Sequence, residues 1–435
     1  MVEDKKLCVV VTGDSFLTKK ISICQDVDFL SAIKILQDSD ICFTNCEILF
    51  YEYDSYPMRP MGPGTLMVAE PFMAKEIKWA KVNLVSLSNN HSWDFGPNGL
   101  LSTMKILDEL EIVYAGAGRN LDEACEPKYL ETGKGRVALI ATCADSSQKN
   151  IERATNARGG IIARPGIDMI RVQLQCVVNK EDFDFLKKLK EKLKMPDLVK
   201  LKKPSDKNEL VLGNIKYTQG ENIGFYRIPK KGDIERDLLS IKDAKQASDW
   251  VFVSLHSHSG GQKGLEYPDQ FICEYARACI DAGADAFLGH GPHILRGIEI
   301  YKGKPIFYSL GNFIAHNSTV KRVSSEQYEY FDLDENAKPS DFYKARLGII
   351  PPTDLPYAKW WYESVIAKFF FIQKKLVEIK LYPIILGYGE PRSSIGYPKL
   401  ARGEKASEII QRLQNISSPW KTKVEYKDEI GIIEL

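Results

Sequence analysis

Five of the six histidines in this chain fall at or just after short apolar runs. His91 follows LVSLSNN, His256 and His258 end VFVSLHSH, and His290 and His293 end AFLGHGPH. Acids and amides occupy equivalent positions. Asp14 follows LCVVVTG, Asn45 and Glu47 follow ICFT, and Asn89, Asn90 and Asp94 surround His91. Each apolar run reads as a strand, at 7–13, 41–45, 83–88, 251–256, 286–290 and 304–310. Helical patterns at 27–38, 70–80, 98–109 and 269–281 separate them. That alternation predicts an α/β fold with parallel or mixed sheets and helices outside. In such sheets ligands bind beyond the carboxyl ends of the strands, so the five clusters are expected to converge on one pocket.

The rhythm lapses between about 145 and 225, where a Gly/Arg-rich loop, NARGGIIARPG, precedes a Lys-rich amphipathic stretch. This segment reads as an insertion or cap within a single domain spanning 1–435. Toward the end, SVIAKFFFIQKKLVEIKLYPIIL predicts a β-hairpin, because two apolar runs flank a polar QKK turn. A helix around 403–414 and two short strands complete the tail.

Composition narrows the partners. Lys+Arg at 59 against Asp+Glu at 58 leaves a formal net charge of +1, so no overall field draws nucleic acid or an anionic membrane. The basic run from Lys187 to Lys203 reads as a solvated helix face. The apolar run at the start is too short for a signal-peptide core, and no stretch approaches the roughly 18 apolar residues of a membrane span. Nine cysteines without paired spacing fit reduced thiols. A cytoplasmic setting is therefore expected.

Imidazoles mixed with carboxylates and an amide oxygen suit borderline divalent metals such as Mn, Fe or Zn, whereas calcium prefers oxygen alone. Asp14, Glu47, Asn90, His256, His258, His290 and His293 are the candidate ligands. His91 reads as a proton donor oriented by Asp94. Asn45, Asn89 and Asn312 are loop amides that either shape their turns or touch substrate. Arg158 and Arg164 could clamp an anionic substrate. His316 lies outside the clusters and receives no role.

Taken together, GDSF, NCE, NNHSWDFGPNGL, SLHSHSGG and GHGPHILRGIEIYKGKPIFYSLGNF resemble the motifs of the capsule synthesis protein CapA family. The stretch from Val365 to the end resembles that family's tail as well. The resemblance implies an association with poly-γ-glutamate synthesis. It also implies a four-layer αββα sandwich of the calcineurin-like metallophosphatase type, with two divalent ions. Departures are visible: Phe16 stands where an Asp-x-His motif has its histidine, and Glu47 replaces an aspartate as the bridging carboxylate. HSHSGG replaces HWG, with Glu266 and Tyr267 displaced, so His258 becomes a substitute nitrogen ligand. Gly291 replaces a frequent histidine.

The expected function is a metal-dependent hydrolase acting on a phosphoester or on a γ-glutamyl or peptide-like amide. The alternative is a non-hydrolytic metal-containing accessory protein that serves a synthetase partner. A scaffold with a degenerate site is the third possibility.

Overall fold

The computed structural model describes residues 6–58, 62, 64–145, 150–194, 208–213, 215–349 and 356–435. Two large sheets dominate it. In the first, strand Leu7–Phe16 lies between the parallel strand Ile41–Cys46 and the antiparallel strand Glu363–Ile372. Leu84–Ser86 and Val113–Ala115 extend this sheet on one side, and Lys375–Ile385, Ile430–Glu434 and Glu425–Lys427 on the other. Asn312–Ala315 pairs with the end of Leu7–Phe16 in parallel. The second sheet runs Ile298–Tyr301, Lys304–Phe307, Ala286–His290, Trp250–His256, Gly135–Cys143, Lys128–Thr132.

Period-two alternation assigns each strand two apolar faces. Leu7, Val9, Val11, Ile41 and Phe43 of the first sheet share one buried cluster with Val137, Leu139, Trp250, Phe252, Ala286 and Leu288 of the second. The intervening Val10, Cys42 and Val85 join a cluster with helices Val27–Gln37, Ala74–Trp79 and Gly96–Glu109. On the second sheet, Ala138, Val251, Val253 and Phe287 pack with helices Lys231–Ala247 and Gln270–Ala282. The result is a mixed α/β protein with several sheets. None of its described helices is long and apolar enough to cross a membrane, and all nine cysteines are unpaired.

The C-terminal hairpin forms as the sequence predicts, with Gln373 and Lys374 both left-handed at its turn. Helix Gly403–Ser417 and the two short strands of the tail also form. The segment from 145 to 225 is more regular than expected. Strands Glu209–Leu212, Ile215–Gln219, Val172–Val178 and Gly224–Pro229 make a separate four-stranded sheet, and helix Lys180–Lys192 packs against its second strand. Most of its strand positions are half-buried, so it lacks the continuous apolar runs that reveal the two large sheets. The basic run is helical as far as Lys192 and largely exposed as far as Lys194, and its end at 195–203 lies outside the described residues.

Candidate functional site

Strand order brings the polar strand ends together. Asp14 is fully buried at the end of Leu7–Phe16, where the strand slips register against Ile41–Cys46. Its backbone N–H donates to the Gly311 carbonyl at 2.9 Å. This close approach requires Gly13, because a Cβ there would lie 1.9 Å from the same carbonyl oxygen. Gly311 is itself left-handed (φ 68°), which makes the tight turn expected of YSLGNF.

The Asp14 carboxylate receives hydrogen bonds from Asn45 Nδ2 at 2.8 Å and Gly291 N at 3.2 Å. Its oxygens also lie 3.1 Å from His293 Nδ1 and 3.4 Å from His290 Nδ1. Burial raises its pKa, but the imidazoles of His290 and His293 outweigh that and hold it well below the ordinary carboxylate range. His293 has a left-handed backbone (φ 60°), a conformation costing about 1–3 kcal/mol in a non-glycine residue. Its ring packs against Trp361 and Phe16, with centroids 4.3 and 5.2 Å away.

Glu47 lies at the centre, fully buried. Its carboxylate oxygens are 3.7 Å from His256 Nε2, 3.8 Å from His91 Nε2 and 3.9 Å from His293 Nδ1. Two donor groups share it. Asp14, Glu47 and His293 form one, and Glu47, His256 and His258 the other, with the donor atoms of each group within 4.8 Å of one another.

The hydrogen-bond partners assign the tautomers of two rings. His293 Nδ1 faces oxygen acceptors on Asp14 and Asn312, the latter at 3.0 Å, so it carries the hydrogen. His258 Nδ1 lies 2.7 Å from Asp145 Oδ2 and carries the hydrogen for the same reason. The two Nε2 atoms lie 3.3 Å apart, so either one ring takes a second hydrogen and donates it to the other or a cation takes the place of that hydrogen. His256 Nε2, both ring nitrogens of His290 and Asn90 Oδ1 are buried with no hydrogen-bond partner among the described residues. Burial, followed by the neighbouring His258, pushes the pKa of His256 well down, so it stays neutral.

His91 Nδ1 is held by Asp94 Oδ2 at 2.7 Å, and the same oxygen accepts the Met67 N–H at 2.7 Å. Asp94 therefore fixes the ring as expected. Other assignments change. Asn45 donates to Asp14 and lies 3.1 Å from His256 Nδ1, while Asn89 donates to the Cys46 carbonyl and accepts from His91 N. Both are fully buried and their polar groups are engaged within the protein, so they shape the pocket where substrate contact was an option. Asn312 likewise positions His293 and donates to the Trp361 carbonyl at 2.9 Å.

Arg158 and Arg164 belong to an exposed hairpin. Arg158 pairs through its backbone with Ile161, and Arg164 Nη2 donates to the Arg153 carbonyl. No described contact brings either to the cluster.

Sequence reasoning missed Asp145. It ends GRVALIATCAD, an apolar run of the same kind as the others, which was not singled out as a strand.

The family model of a bacterial capsule synthesis protein, PGA_cap, matches residues 9–317. The protein y4sH of Sinorhizobium fredii is 34% identical, over 98% of this chain and 93% of its own length. Capsule biosynthesis protein CapA of Bacillus anthracis is 25% identical, over 75% of this chain and 64% of its own length. A probable polyglutamine synthesis accessory protein of Mycobacterium tuberculosis is 26% identical, over 53% of this chain and 45% of its own length. A match extending from the first strand through Asp14, Glu47 and the two histidine pairs, joined to this full-length likeness, establishes that the chain belongs to the PGA_cap family of bacterial capsule synthesis proteins.

Proposed function

We propose that the chain is a metal-dependent hydrolase of the CapA type, acting on a γ-glutamyl or peptide-like amide or on a phosphoester. The observation carrying this reading is the pair of donor groups that share Glu47. The 3.3 Å approach of His258 Nε2 to His293 Nε2 and the Nε2 atoms of His256 and His290, buried without a hydrogen-bond partner among the described residues, fit cations of the Mn, Fe or Zn kind. Asp14, Glu47 and His293 would hold one ion, with His290 beside them, and Glu47, His256 and His258 the other. When bound, such a pair supplies Lewis acidity and an activated water.

The chain's own residues do the rest. His91, oriented by Asp94, would deliver a proton from Nε2 to the leaving group when its ring carries both hydrogens. Phe16 and Trp361 cover the faces of His293 and limit water there. The proposed architecture is the four-layer αββα metallophosphatase sandwich, supported by the shared cluster between the two sheets and the helices on their outer faces.

A second reading has its own support. Phe16 occupies the place of a histidine ligand, and the mycobacterial relative is named as a synthesis accessory protein. In that reading the same ions bind the anionic groups of a γ-glutamyl chain for a synthetase partner, without turnover. Elemental analysis of the purified chain, combined with a panel of phosphoesters and γ-glutamyl amides, tests both. Two ions with turnover support the hydrolase. Two ions without turnover of any substrate support the accessory role. Absence of metal overturns both.

A further inference from the structure

Asp145, like Asp94, is a carboxylate at this pocket with no place in either donor group. It lies two residues past the strand Gly135–Cys143, which runs between Lys128–Thr132 and the His256 strand Trp250–His256. Its Oδ2 accepts two hydrogen bonds from one residue: the backbone N–H of His258 at 2.6 Å and the ring Nδ1–H at 2.7 Å. The same oxygen lies 3.8 Å from His256 Nε2. The carbonyl of His258 is approached from the opposite side by Arg296 Nη2 at 3.5 Å. Arg296 is 1% exposed, its Nε donates to the Leu265 carbonyl at 2.9 Å, and the largest opposing charge acting on it is that of Asp145.

His258 needs this support. Its side chain is 41% exposed, against 7% or less for His256, His290 and His293. It also lies in the three-residue link between the strands Trp250–His256 and Gly260–Gly261 rather than within a strand. An exposed imidazole on such a link samples several rotamers and both tautomers, and either freedom removes Nε2 from the pocket. A carboxylate that takes both the ring hydrogen and the backbone hydrogen of one residue suppresses both.

We infer that Asp145 is a positioning residue that makes His258 a nitrogen ligand, so that occupancy of the Glu47–His256–His258 group depends on Asp145 while that of the Asp14–Glu47–His293 group does not. This inference rests on the two-ion reading above. It also explains how the pocket accommodates Phe16: the missing nitrogen is recovered from the opposite sheet, through a histidine that works only with its own carboxylate. Asp94 provides the internal comparison. It holds His91 by the same Nδ1 contact at the same distance, yet His91 belongs to neither donor group.

The test measures ion number and per-ion affinity on the full chain, stripped with chelator and titrated with Mn²⁺ or Zn²⁺ against a competing indicator. Asp145→Asn should bind one ion as the parent does and the other about 10–100-fold more weakly. His258→Asn should lose the same ion, and the double variant should be no worse than His258→Asn alone, since the two residues act in series. Asp94→Asn should leave both affinities unchanged. Asp145→Asn with two parental affinities, or with both weakened equally, overturns the assignment. So does an additive double variant. Circular dichroism of the stripped variants identifies a misfolded chain, in which case Asp145→Glu, which keeps the charge and lengthens the arm, replaces it with the same ordering expected. A parent chain that binds no ion overturns the metal reading and this inference with it, whereas a parent with two ions and an unaffected Asp145→Asn sinks the inference alone.

Discussion

The two large sheets bring different chemistry to the pocket. The ten-stranded sheet contributes mainly oxygen: Asp14, Glu47, Asp94 and the amides of Asn45, Asn89, Asn90 and Asn312, with His91 its one imidazole. The six-stranded sheet contributes mainly nitrogen: His256, His258, His290 and His293, with Asp145 its one acid. Each donor group takes members from both sheets. A mixed donor set therefore exists only where the sheets are packed face to face, and binding at the pocket reports on that packing. The lone residue of the minority type on each side is paired across types, His91 with Asp94 and Asp145 with His258.

The largest effect should come from the residue common to both groups. Glu47→Ala should bring the ion content of the purified chain close to zero and abolish turnover, because Glu47 is the residue common to both donor groups. Retention of two ions, by elemental analysis, would show that the sheets do not meet through Glu47. His91→Asn should separate the proton donor from the donor groups. Ion content should stay at the parental value, while turnover falls by roughly 10² to 10⁴ on substrates with poor leaving groups and much less on those with stable anionic ones. Equal losses on both kinds of substrate would remove His91 from that role.

The sheet interface can be weakened without touching the pocket. Phe252 is fully buried in the shared cluster, and Phe252→Ala should cost about 3–5 kcal/mol in urea unfolding. Its ion number should remain parental while the chain stays folded, since no donor is removed.

The smallest effect concerns the one histidine outside the pocket. His316 is fully buried against Tyr397, and burial, with the charge of Lys19 second, pushes its pKa well below the ordinary imidazole range. The folded chain keeps it neutral, whereas the unfolded chain takes up a proton below about pH 6.5. The unfolded state then binds more protons, so stability falls as pH drops below that value, by up to about 1.4 kcal/mol per pH unit. His316→Leu should flatten that acid limb by this one group and leave ion content unchanged. An unaltered slope in unfolding measured from pH 7 to 5 would show that His316 is not neutral in the fold.

Much of this pocket is legible in the sequence because buried parallel strands are near-continuous apolar runs, and the residue after such a run has few places to go. That Asp14, Glu47, His256 and His290 lie near one another is legible on that ground alone. Asp145 satisfies the same rule but has no histidine or second acid nearby to attract notice, and its partner is 113 residues away. The roles of Asn45, Asn89 and Asn312 were unreadable because an amide's function depends on which neighbour takes its donors. Arg158 and Arg164 resemble an anion clamp only while the geometry of their hairpin is unknown. The four-stranded sheet between 172 and 229 escaped because half-exposed strands mix polar residues into the pattern, and the lysine-rich helix obscures the remainder.

The first strand has a consequence for the order in which the molecule is made. Leu7–Phe16 has Glu363–Ile372 as its antiparallel neighbour, and the N–H of Asp14 closes on the carbonyl of Gly311. A ribosome adding about 5–20 residues per second takes roughly 15–60 s to travel from the aspartate to that glycine, and longer to reach the hairpin. Throughout that interval one edge of an apolar strand has no partner. The nascent chain thus carries an unfinished sheet until the hairpin emerges, and the pocket assembles only after Asn312 has been made. Contacts this distant in sequence are slow to form in any refolding experiment. A chain shortened from the C-terminus past the hairpin should fail at its N-terminal strand, far from the cut.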